Sequence, residues 1–298
     1  GISGESGNCE VGDYMTHPSF LAFNTNGIWV GKFETGYDGA TSTSGANKNT
    51  TEVDKVIIKP NVYSWRNIQI ANAFTVSYNY KRELDSHMMK NTEWGAVAYL
   101  SHSIYGINGE VRVNNNSSFK TGHAATTENG YESTTDVAMW NTTTGYLAST
   151  TGNITGVYDM SGGASEYVMG VIKDANGNLI SGFSSSFNSG FNGTAYDGSK
   201  ITNGIDFPES KYYDVYNYNS SQSDYSRRIL GDGTGEMGPF QSYKSSWYND
   251  YAYFVSSSYP WFYRGGYYNY GFGAGVFYFS ASYGHAHSYV SFRLVLGI

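Results

Sequence analysis

Two histidines near the carboxyl end, His285 and His287, are spaced like metal ligands on one β-strand. Residues two apart on a strand point to the same face, and imidazole nitrogen is a common ligand of zinc. However, residues 261–298 contain no Asp, Glu or Cys that could complete such a site. We therefore expect both histidines to be displayed at a contact surface, and we predict no metal site.

Charged side chains at four other positions could take part in a buried site. Asp159 and Glu166 carry carboxylates that either ligate calcium or pair with an arginine. Arg264 and Arg293 carry guanidinium groups, whose planar set of donors suits carboxylates and main-chain oxygens. We expect both arginines to form buried ion pairs or to hold main-chain oxygens, and not to bind a ligand.

The chain shows no pattern of nucleophilic catalysis. Its one cysteine, Cys9, excludes an intrachain disulfide and a thiolate metal cluster. No Gly-X-Ser-X-Gly nucleophile elbow occurs either. The sequence therefore predicts no catalytic residue, and we expect a protein that is not an enzyme.

The overall composition narrows the class of partner. Among 298 residues, 14% are charged and the formal net charge is −7, which argues against binding the phosphates of nucleic acids. No apolar run approaches the roughly 18 residues of a membrane helix, and no signal-peptide pattern opens the chain. We expect no membrane segment here, and any export or anchoring region to lie outside this sequence.

The last 38 residues, 261–298, are the most informative stretch. Thirteen of them are Tyr, Phe or Trp, interleaved with Gly, Ser, Asn and His, and none is Lys, Glu, Gln, Asp or Met. Rigid aromatic side chains mixed with small polar ones are typical of antibody-like binding surfaces. This composition favours a contact surface over a catalytic pocket.

The elements that would position this tail read as helices early and strands late, without alternating β-α-β units. That order predicts an α+β fold, with two helices, short strands and long loops. Ser64 is the expected N-cap of a first helix over 66–78, and Asn91 or Thr92 caps a second helix over 93–106. The expected strands include 27–35, 56–58, 262–266, 275–280 and 291–295.

The strand predicted at 275–280 shows a strict alternation of residue types. Phe277 and Phe279 fall on one face, and Tyr278 and Ser280 fall on the other. We expect the phenylalanines to face the core and the tyrosine to face solvent, where exposed aromatic rings usually mark a partner contact.

Three segments in this order resemble a known family. They are NTEWGAVAYLSHSIYG at 91–106, GNITGVYDMSGGASEYVMG at 152–170, and WFYRGG…GAGVFYF…SFRLVL at 261–296. Together they resemble the formylglycine-generating-enzyme type of C-type lectin fold. The aromatic tail within that fold is similar to the variable region of proteins that diversity-generating retroelements diversify. The resemblance implies a single domain over 1–298, with 1–16 leading in from a preceding region and 261–298 as the variable region.

The chain departs from the enzymes of that family in ways that bear on activity. Formylglycine-generating enzymes bind copper through two cysteines near the carboxyl end, and this chain has no cysteine after Cys9. The resemblance also implies a structural calcium ion, but Gly163 replaces an asparagine of that region. Apart from that calcium, no cofactor is expected.

In retroelement targets, variable positions usually begin as asparagine codons whose adenines are randomised. Such codons never yield Lys, Glu, Gln, Met or Trp, and the tail fits this rule apart from Trp261, which we assign to the constant frame. The resemblance implies that the following positions are displayed for ligand binding: Tyr263, Tyr267, Tyr268, Asn269, Tyr270, Phe272, Tyr278, Ser280, Ser282, Tyr283, His285, His287 and Tyr289.

The expected ligand is a protein or a glycan on another cell or particle. The expected setting is extracellular, either on a bacterial cell surface as an adhesin or on a phage virion as a tail receptor-binding protein. Two alternatives stay open at this point: a carbohydrate-binding module, and an enzyme of the same fold whose site is not recognisable.

Overall fold

The computed structural model describes residues 16–21, 27–128, 133–184, 186–235 and 245–297. Most of the expected lead-in over 1–16, including Cys9, lies outside these residues. The helices and strands, in chain order, are β1 (Ile28–Val30), β2 (Gly36–Tyr37), β3 (Val56–Ile57), α1 (Ile70–Tyr80), β4 (His87–Met88), α2 (Asn91–Ser101), β5 (His123–Ala125), β6 (Val137–Met139), β7 (Ser165–Ile172), β8 (Ile180–Gly182), β9 (Gly193–Ala195), β10 (Lys200–Ile201), β11 (Asp214–Tyr216), β12 (Trp261–Gly265), β13 (Gly275–Ser282), β14 (Val290–Phe292) and β15 (Leu294–Gly297).

These elements confirm the α+β prediction, with two α-helices among the described residues. None of the helices in these residues is both long and apolar enough to cross a membrane.

A five-stranded sheet forms the centre of the molecule. Its strand order is β11-β7-β12-β13. Both β14 and β11 pair in parallel with the same edge of β7: β14 pairs with its first half and β11 with its second half. A smaller sheet, in the order β1-β15-β4, joins the beginning of the chain to its end. Consequently, the carboxyl-terminal strands are integrated into the core.

The central sheet is covered on both faces. Side chains of α1, such as Phe74, share a buried cluster with Tyr167 of β7 and Tyr278 of β13. Side chains of α2, such as Trp94, share another buried cluster with Phe277 of β13. Burial of one large aromatic side chain contributes on the order of 2–3 kcal/mol, so the two clusters make this sheet a rigid platform.

The first helix begins later than the sequence predicts. Its first residue is Ile70, with Gln69 at the N-cap. Ser64, the expected cap, is buried, and its hydroxyl lies between the Glu34 carboxyl and the main-chain oxygen of Phe119, which it approaches at 2.9 Å. The prediction of Ser64 as the cap is wrong because tertiary partners engage its hydroxyl.

The second helix, α2, begins at Asn91 with Lys90 at the N-cap. The Glu93 carboxylate accepts a hydrogen bond from the Lys90 main-chain N–H at 2.8 Å, which is the reciprocal contact of a capping box. The presence of this helix is therefore confirmed, but its expected caps, Asn91 and Thr92, are its first two residues, and it ends at Ser101 and not at 106.

Strand β1 is shorter than the predicted 27–35, whereas the tail strands fall close to their predicted positions. The sequence prediction missed β7, the strand on which the central sheet is built. Every residue of β7 is buried, so no alternation of polar and apolar residues marks it.

Candidate ligand-binding surface

Arg264 fixes the end of β12, from which the tip of the candidate surface begins. Its guanidinium donates to the Asn91 side chain at 3.0 Å and to the main-chain oxygens of Asp232 and Gly233 at 3.1 and 3.2 Å. The residue is fully buried. The expectation that this arginine holds main-chain oxygens is therefore confirmed.

Two glycines turn the chain out of the sheet immediately after Arg264. Gly265 and Gly266 have φ angles of 82° and 70°, which L side chains rarely adopt. A Cβ at Gly266 would also lie 2.9 Å from the Cα of Ala274. The turn presents residues 267–273 as a tip, which the Tyr268 N–H anchors by donating to the Gly163 oxygen at 3.0 Å.

A second loop, residues 283–289, follows β13 and lies against the residues that precede and begin α1. The Asn67 N–H donates to the main-chain oxygen of His287 at 2.9 Å, and the Ile70 N–H donates to that of Gly284 at 3.1 Å. Both contacts engage main-chain atoms on each side. These two hydrogen bonds therefore position the loop without a contribution from its side chains.

Two side chains of the scaffold hold the same loop, again through its backbone. The Tyr167 hydroxyl donates to the main-chain oxygen of His285 at 2.7 Å. The Arg66 guanidinium donates to the main-chain oxygen of Ser288. Replacing a side chain at 285 or 287 would leave these contacts intact.

The rings of the loop and of the tip meet in a continuous row. The His285 and His287 ring centroids are 5.2 Å apart, and those of His287 and Tyr289 are 3.8 Å apart. Tyr289 stacks on Tyr267 at 5.0 Å with an interplanar angle of 20°. Tyr283 extends the row with a distance of 5.6 Å to His285.

Residues outside the tail lengthen this row at both ends. Tyr283 stacks on Tyr259 at 4.7 Å and contacts Phe187 at 5.3 Å. At the other end, Tyr268 meets Phe119 at 4.9 Å. We call the following set the aromatic ribbon: Phe119, Phe187, Tyr259, Tyr267, Tyr268, Tyr283, His285, His287 and Tyr289.

Nine of the thirteen predicted display residues lie at the surface of the described structure. Asn269 and Phe272 are exposed, and the other seven are partly exposed: Tyr267, Tyr268, Tyr270, Tyr283, His285, His287 and Tyr289. These residues belong to the tip or to the 283–289 loop, which are irregular segments between strands. His285 and His287 therefore share a loop and not the strand face that was predicted.

The other four display predictions are wrong about exposure. Tyr278 is fully buried, and Tyr263, Ser280 and Ser282 retain only 9%, 5% and 8% of their exposure. Tyr278 lies among other tyrosine rings, including Tyr263 at 6.0 Å and Tyr251 at 5.8 Å. Strand β13 is covered on both faces. Its alternating residues therefore point into two buried layers, and neither face is exposed to solvent.

The ribbon carries no net charge at neutral pH. Burial lowers the pKa of His285 to about 4, with a smaller contribution from His287, and burial also lowers the pKa of His287. Burial raises the pKa values of Tyr267 and Tyr289 above the ordinary value for tyrosine. All four groups are therefore neutral, so they offer ring surface and uncharged polar atoms to a partner.

The cationic side chain of Arg66 borders the ribbon. The Arg66 guanidinium lies 4.0 Å from the centroid of the Phe119 ring. Burial lowers its pKa to about 10, so that it stays protonated at neutral pH. The guanidinium interacts with the Phe119 ring and donates hydrogen bonds to two main-chain oxygens. One belongs to Ser288, and the other belongs to Thr43, which accepts from Nη2 at 2.6 Å.

Beneath this surface, Arg293 forms the buried ion pair expected for it. Its Nε donates to Glu166 Oε2 at 2.9 Å, and its Nη2 donates to the other carboxylate oxygen. The guanidinium also holds the main-chain oxygens of Gly31 at 2.6 Å and Tyr158 at 2.9 Å. Arg293 thereby ties the last strands to the beginning of the chain.

The carboxylates considered for calcium are engaged by protein donors. Asp159 accepts from Asn114 Nδ2 at 2.8 Å and from the Gly122 N–H at 2.9 Å. A Cβ at Gly163 would lie 2.8 Å from Glu34 Oε1, so the glycine leaves room for that carboxyl group. Within the described ranges, no three His, Cys, Asp or Glu side chains converge as metal ligands. Calcium binding stays an untested implication of the resemblance.

Several residues that build this surface lie outside the tail and were missed. Arg66, Phe119, Tyr167, Phe187 and Tyr259 join it only through the fold. A local pattern gives no signal for such contacts. Phe187 is 43% exposed and lies in a polar stretch of the sequence. A search for aromatic residues within polar segments could have identified it as a contact residue.

Comparison with known proteins adds no assignment. No protein-family model matches the chain, and no curated protein matches it.

Proposed function

We propose that this protein is a non-enzymatic recognition protein whose aromatic ribbon and tip bind a protein or glycan ligand on another cell or particle. The observation that carries the proposal is the ribbon itself. It is a row of partly exposed, uncharged rings mounted on a loop whose backbone is held by the scaffold.

The chemistry of the ribbon suits recognition. Tyrosine and histidine rings offer large contact areas while few torsions are lost on binding, so the entropic cost per unit area is low. Their hydroxyl and imidazole groups can hydrogen-bond without the desolvation cost of an ion. A partner surface that is itself apolar and weakly charged fits this composition best.

The same geometry supports diversification by a retroelement. Loop 283–289 is fixed through the main-chain oxygens of Gly284, His285, His287 and Ser288, and the tip is fixed through the Tyr268 N–H. A side chain can change at these positions while the backbone keeps its partners. The protein is then a variable protein, with fixed scaffold and exchangeable contact residues.

Contacts among the three family-like segments support the C-type lectin fold of the formylglycine-generating-enzyme type, as a single domain. Trp94 of the first segment donates from Nε1 to the Val276 oxygen of the third at 2.7 Å. Glu166 of the second segment pairs with Arg293 of the third. The proposal also places the protein outside the cell, on a bacterial surface as an adhesin or on a phage virion.

Two experiments test the proposal. The first is sequencing of this gene from many sister isolates. We expect substitutions to be concentrated in adenine-containing codons at 267–272 and 283–289. We expect no amino-acid substitution at Arg264 or Arg293. Substitutions spread evenly over the chain would contradict diversification.

The second experiment is selection from two displayed libraries. One randomises Tyr267, Asn269, His285 and His287, and the control library randomises Ile104 and Tyr105, which are exposed elsewhere. Both are selected against immobilised lysozyme and streptavidin. We expect specific binders only from the first library, and equal yields from both would refute a specialised binding surface.

A further inference from the structure

A groove of about 560 Å³ lies beside the aromatic ribbon, where three turns converge. The first turn follows β7, the second joins β9 to β10, and the third contributes residues 218–220 beside 257–258. Its lining includes three serines, among them Ser257, and the following larger side chains: Tyr196, Tyr218, Asp174, Asp197 and Asn176. Its volume falls in the range of small-molecule sites.

The two tyrosines supply flat walls that are open to solvent. Tyr196 is 48% exposed and Tyr218 is 41% exposed. Phe183 stacks on Tyr196 with centroids 5.1 Å apart and an interplanar angle of 11°, so one face of that ring is covered. The uncovered face can receive a ligand without a change in the protein.

The two carboxylates are held in place by their own turns. Asp174 Oδ1 accepts from the N–H groups of Asn176 at 2.9 Å and Asn178 at 2.8 Å. Asp197 Oδ1 accepts from the Ser199 N–H at 2.9 Å. Asp174 Oδ2 also accepts from the Asn178 side chain at 3.0 Å, so this carboxylate is satisfied within its own turn. A carboxylate can accept about four hydrogen bonds, so Asp197 keeps acceptor capacity for further donors.

Both carboxyl groups are ionised at neutral pH. Burial acts to raise the pKa of Asp174, but hydrogen bonds from Asn178 and Asn176 outweigh it and lower the pKa. Hydrogen bonds from Ser199 lower the pKa of Asp197. The groove therefore holds two carboxylates, and the Lys200 ammonium, which also helps to lower the pKa of Asp174, partly offsets their negative charge.

The third turn is rigid because a buried amide supports it. Asn219 is 4% exposed, and its Nδ2 donates to the main-chain oxygen of Asp224 at 2.8 Å. The Ser257 N–H donates to the main-chain oxygen of Asn219 at 2.8 Å. These contacts fix Tyr218 and Ser257 on the same side of the groove.

We propose that this groove binds a neutral saccharide. A pyranose ring has an apolar face of C–H groups that stacks on an aromatic ring, and hydroxyl groups around its edge that donate to carboxylates. Tyr196 and Tyr218 provide the rings, and Asp197 provides the main acceptor, while Asp174 adds negative charge to the groove. The groove lies beside the aromatic ribbon, since Phe183 also contacts Tyr283 at 5.0 Å, but its binding does not depend on the ribbon.

The test is titration of the protein with maltotriose, cellotriose and N,N′,N″-triacetylchitotriose, followed by saturation-transfer NMR and calorimetry. We expect at least one to bind, and Tyr218→Ala and Asp197→Asn each to weaken it by about tenfold or more. Tyr218→Phe, which keeps the stacking ring, should retain binding. Tyr105→Ala, at a tyrosine that is 77% exposed elsewhere, is the matched control and should change nothing.

Three outcomes would overturn the saccharide site: no binding of any of the three at about 10 mM, equal binding of a sialylated or sulfated oligosaccharide, or loss of binding in Tyr267→Ala but not in Tyr218→Ala. The last result would move saccharide binding to the ribbon, and it would leave the proposed recognition function standing. Conversely, a ribbon that binds nothing has no effect on the expected result for Tyr218→Ala. A peptide found in the groove in place of a sugar would also refute the proposal.

Discussion

The Tyr167 hydroxyl donates to the main-chain oxygen of His285 at 2.7 Å, so a fully buried residue of the central strand holds the loop that displays two histidines. The same hydroxyl lies 2.9 Å from Ser282 Oγ, at the end of β13. The conformation of the candidate surface is therefore set from inside the core.

Tyr167→Phe removes that hydroxyl while keeping the ring. Losing the donor leaves a main-chain oxygen of the loop unpaired, which should lower the free energy of unfolding by about 1–3 kcal/mol. The control is Tyr158→Phe, which removes a similar buried hydroxyl bonded to the Trp140 oxygen at 2.8 Å. Hydrogen exchange should rise in 283–289 only in Tyr167→Phe, and equal loop protection in both variants would contradict the assigned role.

Exchange of the displayed side chains should leave the fold intact. His285→Ser and His287→Asn remove rings but no backbone contact, so we expect changes in unfolding free energy of about 1 kcal/mol or less. Arg66→Ala removes the donor to Ser288 and to Thr43, and should cost about 2–4 kcal/mol. Urea denaturation measures all three. The idea of a loop that tolerates variation fails if either histidine variant costs as much as Arg66→Ala.

The buried ion pair between Arg293 and Glu166 should be strongly coupled. Arg293→Met leaves a buried carboxylate without its partner, which should cost about 3–5 kcal/mol, as should Glu166→Leu. The double variant removes both charges and should cost clearly less than the sum of the two singles. Chemical denaturation of the full cycle measures the coupling, and strict additivity would show that the pair is not coupled.

A second buried pair makes stability depend on pH. His87 Nε2 lies 3.0 Å from Glu93 Oε1. Burial alone would lower the pKa of His87, but the hydrogen bond and charge of Glu93, with a smaller contribution from Asp85, raise it above its ordinary value. Because the folded protein holds this proton more tightly, the pair contributes fully below about pH 6.5 and is lost as the pH rises through the higher folded value.

His87→Gln should therefore cost more at pH 6 than at pH 8.5. The charges around the pair, including the Lys90 ammonium 3.9 Å from Glu93 Oε1, are present in both proteins. Thermal unfolding of both proteins across that range provides the measurement. A difference that stays constant or grows with pH would mean that His87 does not gain a proton from this pairing.

The sequence predicted those elements and residues whose conformation depends on neighbours close in the chain. It failed where the contacts come from distant segments. The positions of α2 and β13 follow approximately from local helix and strand patterns, and Arg293 was expected to pair because buried guanidinium groups require partners. Strand β7 was missed since a strand buried on both faces has no alternation. Tyr278 was misassigned to solvent because tyrosine fits either face of an alternating strand. Only the tertiary packing of rings such as Tyr251 on that face decides between the two.

That misassignment leads to a direct comparison of two tyrosines in the tail. Tyr278 is fully buried on β13, whereas Tyr267 is partly exposed in the tip. Tyr278→Ala should create a cavity and lower the unfolding free energy by about 3–5 kcal/mol. Tyr267→Ala should cost about 1 kcal/mol, because its ring is partly exposed and packs on the partly exposed rings of Tyr270 and Tyr289. If denaturation gave the reverse order, Tyr278 would be a contact residue after all. The surface for the ligand would then have to extend along β13, as the alternation of that strand first predicted.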